Sequence, residues 1–433
     1  MQAFRLLREK IKSHKAKITV IGLGYVGLPL ALAFSKKGYF VWGLDKNPSR
    51  IRKLKKAEQY IVDVHPQEVL SLIKNKKFYP TLDKSILKDS DIIIICVPTP
   101  LRKVKIPDIS YVIQAARTIR EYLRKGQLII LESTSYPTTT RDVVLPILKK
   151  SRLTEKDFFL CFSPERVNPA DKKFKLEKIP KIVGGVNKES TKLAGLLYSQ
   201  IIKKVYAVST PEVAECAKLL ENTFRLVNIA LVNEFAMFCD RLGISIWEVV
   251  EAAKTKPFGF MAFYPGPGVG GHCIPQDPLY LSWKAKKIGF KTKMIDLASY
   301  INRFMPRYII KRIEKLLRRM KKSLKEARVL VLGVTYKRDV KDLRESPALE
   351  IIEGLLKRGA RVDYFDPFIP YLKIGKIDLK RVSLTKTGLS RYDSIILVTN
   401  HSNINYEFIR RNGKLIFDTR NVYKKDYPNI IKL

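Results

Sequence analysis

Long apolar runs are missing from this chain of 433 residues. No run reaches the roughly 18–20 residues that a membrane-spanning helix needs. The segment Met1–Lys17 is basic and lacks the apolar stretch of a secretory signal. We therefore expect no membrane span and a cytoplasmic location.

Cysteine and histidine are scarce as well. The cysteines at positions 96, 161, 216, 239 and 273 are odd in number and form no CxxC pair, which argues against a disulfide framework and a zinc site. The histidines at positions 14, 65, 272 and 401 are too far apart in the sequence for a histidine cluster. We expect no bound metal.

Acidic residues are few relative to basic ones, and the formal net charge is +41. Such an excess could indicate binding to nucleic acid or to an anionic membrane. The basic residues are spread over nearly the whole chain, however, and no basic motif interleaved with aromatic residues stands out. This favours solvated lysine-rich surfaces, so no nucleic acid partner is expected. A positive field would also attract a diphosphate substrate.

Strand–helix alternation is the dominant pattern that is present. Helical periodicity begins near Ser209 and runs to Leu242, where Gly243 can cap a helix of about 50 Å. The predicted strands span residues 17–21, 39–44, 92–97, 128–131, 158–162, 328–332, 361–365, 394–399 and 414–417. We predict an α/β fold with two Rossmann-like, doubly wound parallel sheets, joined by a central helical domain with one long helix.

A glycine-rich turn, Gly22-x-Gly24-x-x-Gly27, lies between the first predicted strand and an apolar helix. Gly22 allows the tight turn, Gly24 lets the backbone approach a pyrophosphate, and Gly27 lets helix and strand pack closely. The helix start then offers N–H groups to the phosphates. This turn predicts a dinucleotide cofactor.

Asp45 closes the second predicted strand, where its carboxylate can bind ribose hydroxyls and repel a 2′-phosphate. The cofactor is therefore predicted to be NAD and not NADP, although Lys46 and Arg50 lie nearby and could soften that preference. Further cofactor contacts are expected at Tyr25, Val26, Arg50, Thr99 and Thr134.

Five segments, in the same order, resemble the UDP-glucose/GDP-mannose dehydrogenase family. They are Glu132-Ser133-Thr134, Ser163-Pro164-Glu165-Arg166-Val167-Asn168, Lys218-x-x-x-Asn222, the segment from Gly270 to Asp277, and the segment from Lys337 to Ser346. The resemblance covers roughly residues 16–430. It implies an NAD-dependent enzyme that oxidises the C6 alcohol of a nucleotide sugar to a carboxylate, and it implies a homodimer.

The chemistry of that family explains why it needs a cysteine. An aldehyde, formed when an alcohol loses one hydride, cannot deliver a second hydride until a nucleophile adds to its carbonyl carbon. A thiolate forms a thiohemiacetal, which gives the second hydride and leaves a thioester for water to hydrolyse. By resemblance Cys273 is this nucleophile, and the glycines before it favour close approach of a substrate over a buried structural cysteine. His272 is expected to be structural.

The resemblance assigns further catalytic roles. Lys218 would stabilise negative charge on the sugar oxygen, Asn222 would position that oxygen or a water, and Asp277 would share the C6 hydroxyl proton with Lys218. Glu165 would manage the water of thioester hydrolysis, which Thr134 would hold. Substrate contacts are expected at Glu165, Arg166, Val167, Lys218, Asn222, Gly270, Lys337 and Arg344.

Three positions depart from the family pattern. Some members carry a second glutamate four residues after the first, where this chain has Pro169, so that role must be absent or met elsewhere. Ala170 and Gln276 also differ from the branch that acts on UDP-N-acetylhexosamines. The Pro257–Cys273 segment, with His272 before the cysteine, otherwise resembles that branch. UDP-N-acetylglucosamine is favoured, and UDP-N-acetylmannosamine and UDP-glucose are the alternatives.

These inferences give each predicted domain a role. Residues 1–16 form a basic arm, residues 17–208 an NAD-binding Rossmann domain, residues 209–325 a central helical domain for dimerisation and the cysteine loop, and residues 326–433 a UDP-sugar-binding Rossmann-like domain. Two other classes stay open, a nucleic-acid-binding protein and a nucleotide-sugar binder that has lost catalysis. The presence of Cys273, Lys218 and Asp277 argues against the second.

Overall fold

A computed structural model describes residues 2–61, 64–102, 106–167 and 176–433. The chain divides into two compact units, Met1–Glu221 with Trp283–Gly289, and Asn222–Ser282 with Phe290–Leu433. Each unit contains one large β-sheet.

The first unit has a sheet with the strand order β3-β2-β1-β4-β5-β6-β7-β8. Its strands are β1 (Lys17–Ile21), β2 (Phe40–Leu44), β3 (Phe78–Thr81), β4 (Ile92–Ile95), β5 (Leu128–Leu131), β6 (Phe159–Phe162), β7 (Lys181–Gly185) and β8 (Val205–Val208). Its helices are α1 (Gln2–Lys12), α2 (Gly27–Lys36), α3 (Pro48–Lys55), α4 (Pro66–Lys74), α5 (Ser110–Tyr122), α6 (Leu145–Lys149) and α7 (Lys188–Ser199). A π-helical turn spans Thr139–Val144.

The alternating side chains of the central strands explain why helices cover both faces of this sheet. Successive residues of a strand point to opposite faces. Ile92 and Ile94 of β4 pack in a core with residues of α1, α2 and α7, whereas Ile93 and Ile95 pack in a second core with residues of α5 and α6. Such strands read as continuous apolar runs because both faces are buried.

Three features of this unit differ from the sequence prediction, the first being that β3, β7 and β8 were not predicted. Strands β6 and β7 pair antiparallel, while the other neighbours pair parallel. Strand β7 carries a lysine and two glycines, a composition that gives a weak strand signal. The residues predicted as a basic arm form α1, whose Leu7 and Ile11 are buried in the core.

In chain order, four helices follow β8 and precede the next strand: α8 (Pro211–Leu242), α9 (Ile246–Lys254), α10 (Cys273–Lys287) and α11 (Lys293–Arg319). The predicted long helix is confirmed as α8, with 32 residues, and Gly243 follows it in the left-handed conformation. Helix α11 has 27 residues, so the prediction of one long helix missed a second. In the described parts of the chain, no helix combines the length and apolarity of a bilayer span.

The second unit has a parallel sheet with the strand order β10-β9-β13-β14-β15 and a separate antiparallel pair, β11 and β12. The strands are β9 (Arg328–Leu332), β10 (Arg361–Phe365), β11 (Tyr371–Ile374), β12 (Ile377–Lys380), β13 (Ser394–Leu397), β14 (Ile416–Asp418) and β15 (Ile430–Lys432). The helices are α12 (Pro347–Leu356), α13 (Lys386–Leu389) and α14 (Tyr406–Asn412). The predicted fold class is confirmed, and the predicted strands agree with the observed ones to within two residues.

Candidate active site

The glycine-rich turn of the first unit has the shape that a dinucleotide requires. Gly22 has a φ of +93°, and a Cβ there would lie 2.5 Å from the carbonyl oxygen of Cys96. A Cβ on Gly27 would lie 1.9 Å from the carbonyl oxygen of Gly22, so only glycine allows this packing. At Gly24 a Cβ would meet no atom within 4 Å, which leaves the backbone open to a ligand.

Helix α2 begins directly after this turn. Its N-cap residue, Val26, makes no side-chain hydrogen bond to the N-terminal N–H groups. Tyr25 is exposed beside it. Uncapped N–H groups at the positive end of a helix bind anions, so the residues present fit the pyrophosphate of NAD.

Asp45 stands at the end of β2 and is 5% exposed. Its carboxylate accepts hydrogen bonds from the N–H groups of Leu23 (2.8 Å) and Asn47 (2.9 Å). It also forms an ion pair with the Arg50 guanidinium at 2.6 Å. Asp45 and Arg50 therefore lie together, and Asp45 also braces the glycine-rich turn.

Thr99 and Thr134, which follow two neighbouring strands, are brought together. The Thr99 hydroxyl donates a 2.6 Å hydrogen bond to the carbonyl oxygen of Thr134. Parallel neighbours end at the same edge of a sheet, and β4 and β5 are such neighbours. The contact fixes the backbone at Thr134.

Glu165 lies in a buried cluster of charges in the first unit. Its Oε1 accepts hydrogen bonds from the N–H groups of Arg166 (2.7 Å) and Val167 (2.6 Å). Its Oε2 lies 3.2 Å from Lys181 Nζ, which also lies 3.1 Å from Oε1 of Glu132. The Arg166 guanidinium bonds instead to Glu221 of α8 at 2.5 Å.

The carboxylates of this cluster have opposite pKa shifts. Burial opposes the ionisation of Glu165, but the Lys181 ammonium and the two backbone N–H groups outweigh it and hold the pKa of Glu165 below its usual value. Burial raises the pKa of Glu132 in spite of Lys181. Burial also disfavours the charged form of Lys181, yet Glu132 and Glu165 together keep its pKa above the usual value.

Cys273 is the first residue of α10 in the second unit, and it is exposed. The positive end of a helix dipole stabilises a thiolate at such a position. Asp277 lies one turn later on the same face of α10, is 2% exposed, and accepts a 2.5 Å hydrogen bond from the side-chain amide of Asn222. Lys218 lies one turn before Asn222 on α8 and is buried.

The loop before Cys273 packs against the segment 336–347 of the same unit. A Cβ on Gly270 would lie 2.7 Å from the carbonyl oxygen of Glu345, and one on Gly271 would lie 2.7 Å from the Tyr336 ring. The N–H of Gly271 donates a 2.9 Å hydrogen bond to the carbonyl of Arg344. These two glycines therefore allow close packing of protein on protein, which differs from the expected approach of a substrate.

Lys337 and Arg344 belong to that packed segment. The guanidinium of Arg344 forms two-pronged contacts with the Asp342 carboxylate, the shortest at 2.6 Å. The Lys337 carbonyl accepts a 3.0 Å hydrogen bond from the hydroxyl of Thr335. Burial lowers the pKa of His272, and the nearby Arg344 lowers it further, so both favour the neutral imidazole.

Sequence reasoning missed the buried partners of these residues. Lys181 and His401 are single polar residues, and a single lysine or histidine carries no signal of its own in a sequence. The sequence assigns Glu132 no role beyond its place in the Glu132-Ser133-Thr134 segment, although a glutamate directly after an apolar strand is a signal for a buried charge. The structure does not describe residues 168–170. The departure at Pro169, where some family members have a second glutamate, therefore falls outside the described residues.

The chain matches one protein family along most of its length. Residues 16–210 match the NAD binding domain of the UDP-glucose/GDP-mannose dehydrogenase family, residues 212–304 its central domain, and residues 330–425 its UDP binding domain. The chain is 37% identical over 427 residues to the UDP-N-acetyl-D-glucosamine 6-dehydrogenase of Pseudomonas aeruginosa, covering 96% of this chain and 99% of that protein.

Two further comparisons concern Pyrococcus horikoshii. Its UDP-N-acetyl-D-mannosamine dehydrogenase is 37% identical over 419 residues, covering 94% of this chain and 96% of that protein. The solved structure of the UDP-D-ManNAc dehydrogenase from the same organism has a TM-score of 0.87 at 33% identity, covering 96% of this chain and 98% of that chain.

This chain therefore belongs to the UDP-glucose/GDP-mannose dehydrogenase family, as the five segments predicted. It is an NAD-dependent nucleotide-sugar dehydrogenase with an NAD-binding domain and a UDP-binding domain.

Proposed function

We propose that this dehydrogenase oxidises the C6 alcohol of a UDP-N-acetylhexosamine to the carboxylate, with UDP-N-acetylglucosamine as the favoured substrate. The observation that carries the proposal is Cys273 at the exposed start of α10, with Asp277 one turn later and bonded to Asn222. A relative named for the glucosamine substrate and one named for the mannosamine substrate are both 37% identical to this chain, which supports the class of sugar. The product would serve polysaccharide precursor synthesis.

In the first oxidation, the residues handle the proton of the C6 hydroxyl. Asp277 and Lys218 share this proton, and the Lys218 ammonium stabilises the alkoxide as it forms. Asn222, which holds the Asp277 carboxylate by its amide, would orient that carboxylate or the sugar oxygen. Bound NAD supplies the acceptor for each of the two hydrides.

Cys273 makes the second oxidation possible. Its thiolate would add to the aldehyde carbon to give a thiohemiacetal, and loss of the second hydride would leave a thioester. Water then adds to the thioester carbonyl, the carbon–sulfur bond breaks, and the thiolate leaves. Glu165 would take a proton from that water, which Thr134 would hold.

The domain roles remain part of the proposal. Residues 17–208 would bind NAD, residues 209–325 would supply Asn222, Lys218 and the cysteine loop, and residues 326–433 would bind UDP through Lys337 and Arg344. The family matches at 16–210, 212–304 and 330–425 support this order. Further cofactor contacts are proposed at Tyr25, Val26, Arg50 and Thr99. A cytoplasmic location stays a prediction.

A stripe of exposed apolar residues on α8 supports a homodimer. Its members recur at spacings of three, four and seven residues, so they lie on one face of the helix. They are Val213, Leu220, Phe224, Leu231, Phe235, Phe238 and Leu242. A long apolar stripe on a 32-residue helix suits pairing with the same stripe of a second copy. Leu231→Glu should give monomers in sedimentation, and the exposed neighbour Glu234→Ala should not.

The stoichiometry of the reaction tests the proposed function. We expect two NADH per UDP-N-acetylhexosamine consumed and a uronate product. Comparison of kcat/KM for UDP-N-acetylglucosamine, UDP-N-acetylmannosamine and UDP-glucose ranks the substrates. Cys273→Ala should abolish acid formation and leave NAD binding intact. One NADH per sugar with a stable aldehyde would reject the two-step mechanism.

A further inference from the structure

We propose that Lys181 is a positioning residue for Glu165, keeping this carboxylate ionised and aimed so that it can take a proton from the hydrolytic water. This inference rests on the proposed function, in which Glu165 manages that water. Nothing in the sequence segments or the family comparison above assigns a role to Lys181.

Lys181 joins the ends of three neighbouring strands. It is the first residue of β7, Glu132 directly follows β5, and Glu165 follows β6. The ammonium lies 3.1 Å from Glu132 Oε1 and 3.2 Å from Glu165 Oε2, so two of its three donors are used by carboxylates. The Lys181 side chain is 3% exposed, which makes it one of the two buried lysines among the described residues.

The two carboxylates differ in what remains open to them. Glu132 has a side chain that is 0% exposed, and its Oε1 also accepts a hydrogen bond from the Tyr198 hydroxyl. Its Oε2 lies 3.9 Å from Cys96 Sγ. Glu165, by contrast, is 14% exposed, so only this carboxylate has an edge that can meet water. Glu132 therefore acts as the enclosed counter-charge that holds Lys181 in place. Lys181 in turn orients the Glu165 carboxylate, whose exposed edge can meet water.

Removing the ammonium would leave two carboxylates close together in a buried place. Both carboxylates lose the opposite charge that favours their ionised forms, so the pKa of Glu165 rises as well as that of Glu132. The backbone N–H groups of Arg166 and Val167 would still favour ionised Glu165, but without an opposite charge. A protonated Glu165 cannot accept the proton of the water that adds to the thioester. Thioester hydrolysis would then slow, whereas the two preceding oxidations do not use this proton.

The first experiment compares Lys181→Met with Lys178→Met, an exposed lysine on the same approach to β7. At a pH on the acidic limb of the hydrolysis rate, we expect Lys181→Met to lower kcat by about 10-fold or more, the loss that a rise of about one unit in the pKa of Glu165 gives there. Rapid mixing should still give a burst of NADH, followed by slow turnover, and intact-mass analysis should find the thioester on Cys273. Lys178→Met should behave as the unchanged enzyme.

The pH profile separates positioning from a merely structural role. The titratable groups that face Lys181 and Glu165 are Glu132, Tyr198 and Cys96, and burial raises the pKa of both Tyr198 and Cys96 well above the usual value. Glu165 is therefore the group expected to set the acidic limb of the hydrolysis rate. In Lys181→Met that limb should move up by about one pH unit or more.

Glu132→Gln keeps the test valid if Lys181→Met does not fold. Glutamine is close in shape to glutamate and can still accept the Tyr198 hydroxyl hydrogen. Lys181 would then pair with Glu165 alone, so the acidic limb should move to lower pH, opposite to its shift in Lys181→Met. An unmoved limb in Glu132→Gln would overturn the inference.

Glu165→Gln distinguishes failure of the inference from failure of the proposed function. If Glu165→Gln accumulates the thioester and Lys181→Met shows neither the burst nor the pH shift, the role of Lys181 is wrong and that of Glu165 stands. If Glu165→Gln hydrolyses the thioester normally, the role of Glu165 is wrong, and the inference falls with it. Absence of NADH from every UDP-sugar would reject the function itself.

Discussion

Each of the two Rossmann-like sheets has a glycine with positive φ after its first strand and a carboxylate after the neighbouring strand. The two carboxylates have different roles. In the first unit, Gly22 has a positive φ after β1, and Asp45 after β2 accepts the N–H of Leu23. In the second unit, Gly333 has a positive φ after β9, and Asp366 after β10 accepts the N–H groups of Val334 and Thr335. Each carboxylate thus braces the turn of the neighbouring strand.

The difference lies in what else binds each carboxylate. Asp45 is 5% exposed, and its ion-pair partner Arg50 is partly exposed. Asp366 is 0% exposed, and it also accepts hydrogen bonds from the Phe368 N–H and from His401. The N–H of Asp339 donates to His401 Nδ1, so His401 Nε2 carries the proton that binds Asp366. The Asp366 carboxylate is fully enclosed by these partners and cannot bind a ribose hydroxyl. The Asp45 carboxylate lies beside a partly exposed side chain and can.

The largest effect is expected from removing the enclosed carboxylate. Asp366→Ala leaves three backbone N–H groups and His401 without their acceptor, so the free energy of unfolding should fall by about 3 kcal/mol. Urea unfolding measures this loss, and NAD binding by the folded fraction should be unchanged. Unaltered stability would show that the second turn does not depend on its carboxylate.

The matching change in the first unit should act on the cofactor. Asp45→Ala removes the group proposed to bind the ribose hydroxyls, and we expect the Kd of NAD to rise about 10- to 100-fold. The preference for NAD over NADP should shrink, because Arg50 loses its partner and can meet a 2′-phosphate. Fluorescence titration with both cofactors checks this. Equal loss of affinity for both would point to a structural role only.

Substitutions at Gly333 in the second unit and at Gly24 in the first unit compare the two turns further. Gly333→Ala places a Cβ 2.2 Å from the carbonyl oxygen of Thr399 at a φ of +77°, so stability should fall by about 2 kcal/mol. Gly24→Ala places its Cβ in open space, and stability should change by less than about 0.5 kcal/mol. NAD affinity should nevertheless fall in Gly24→Ala. Thermal unfolding and NAD titration of both variants separate packing from binding.

The smallest effect concerns pH, and its sign differs between the units. Burial raises the pKa of Glu215 in the first unit to about 7, so the folded state binds this proton more tightly than the unfolded state. Its contribution to stability is therefore present below about pH 4.5 and declines as the pH rises toward 7. Burial opposes the ionisation of Asp366, but its interactions with His401 and the hydrogen bonds from the N–H groups of Phe368 and Val334 together outweigh burial and lower the pKa. Its contribution is present above about pH 4 and declines on acidification.

Glu215→Gln tests the first of these signs. Glu215 accepts hydrogen bonds from the N–H groups of Thr138 and Thr140, and glutamine can retain one of them. The decline of the unfolding free energy between pH 4.5 and 7 should therefore be shallower in the variant. Urea unfolding across this range measures the slope. A steeper decline in the variant would contradict the assignment to Glu215.

Much of the fold could be predicted because local patterns carry it. Apolar runs such as Ile92–Ile95 specify strands, and the helix-start signal near Pro211 with Gly243 at the other end marks α8. Strand β7 could not be predicted in this way, because lysine and glycine give no strand signal and its direction depends on how the chain returns from β6. Helix α1 looked like a basic arm because four basic residues are interspersed among its apolar ones, and only the folded structure shows that Leu7 and Ile11 are buried.

The candidate site divides in the same manner. The glycines and Asp45 could be recognised because their spacing is local to one strand–turn–helix–strand unit. The contacts of Glu165 could not, because Lys181 and Glu132 reach it only through the order of β5, β6 and β7 in the sheet. The start of α10 at Cys273 was also missed, since the prolines at 275 and 278 weaken a helix signal there.

The order of amino acids alone was enough for nine of the strands, the helix α8, the cofactor turn and the family, because each depends on neighbours within a few residues or on matching segments. The tertiary structure decided which buried charged residues lie next to each other. A carboxylate after one strand gains its partner from another strand, and burial then sets its protonation. The chemistry of Glu165 and the structural duty of Asp366 follow from those distant contacts.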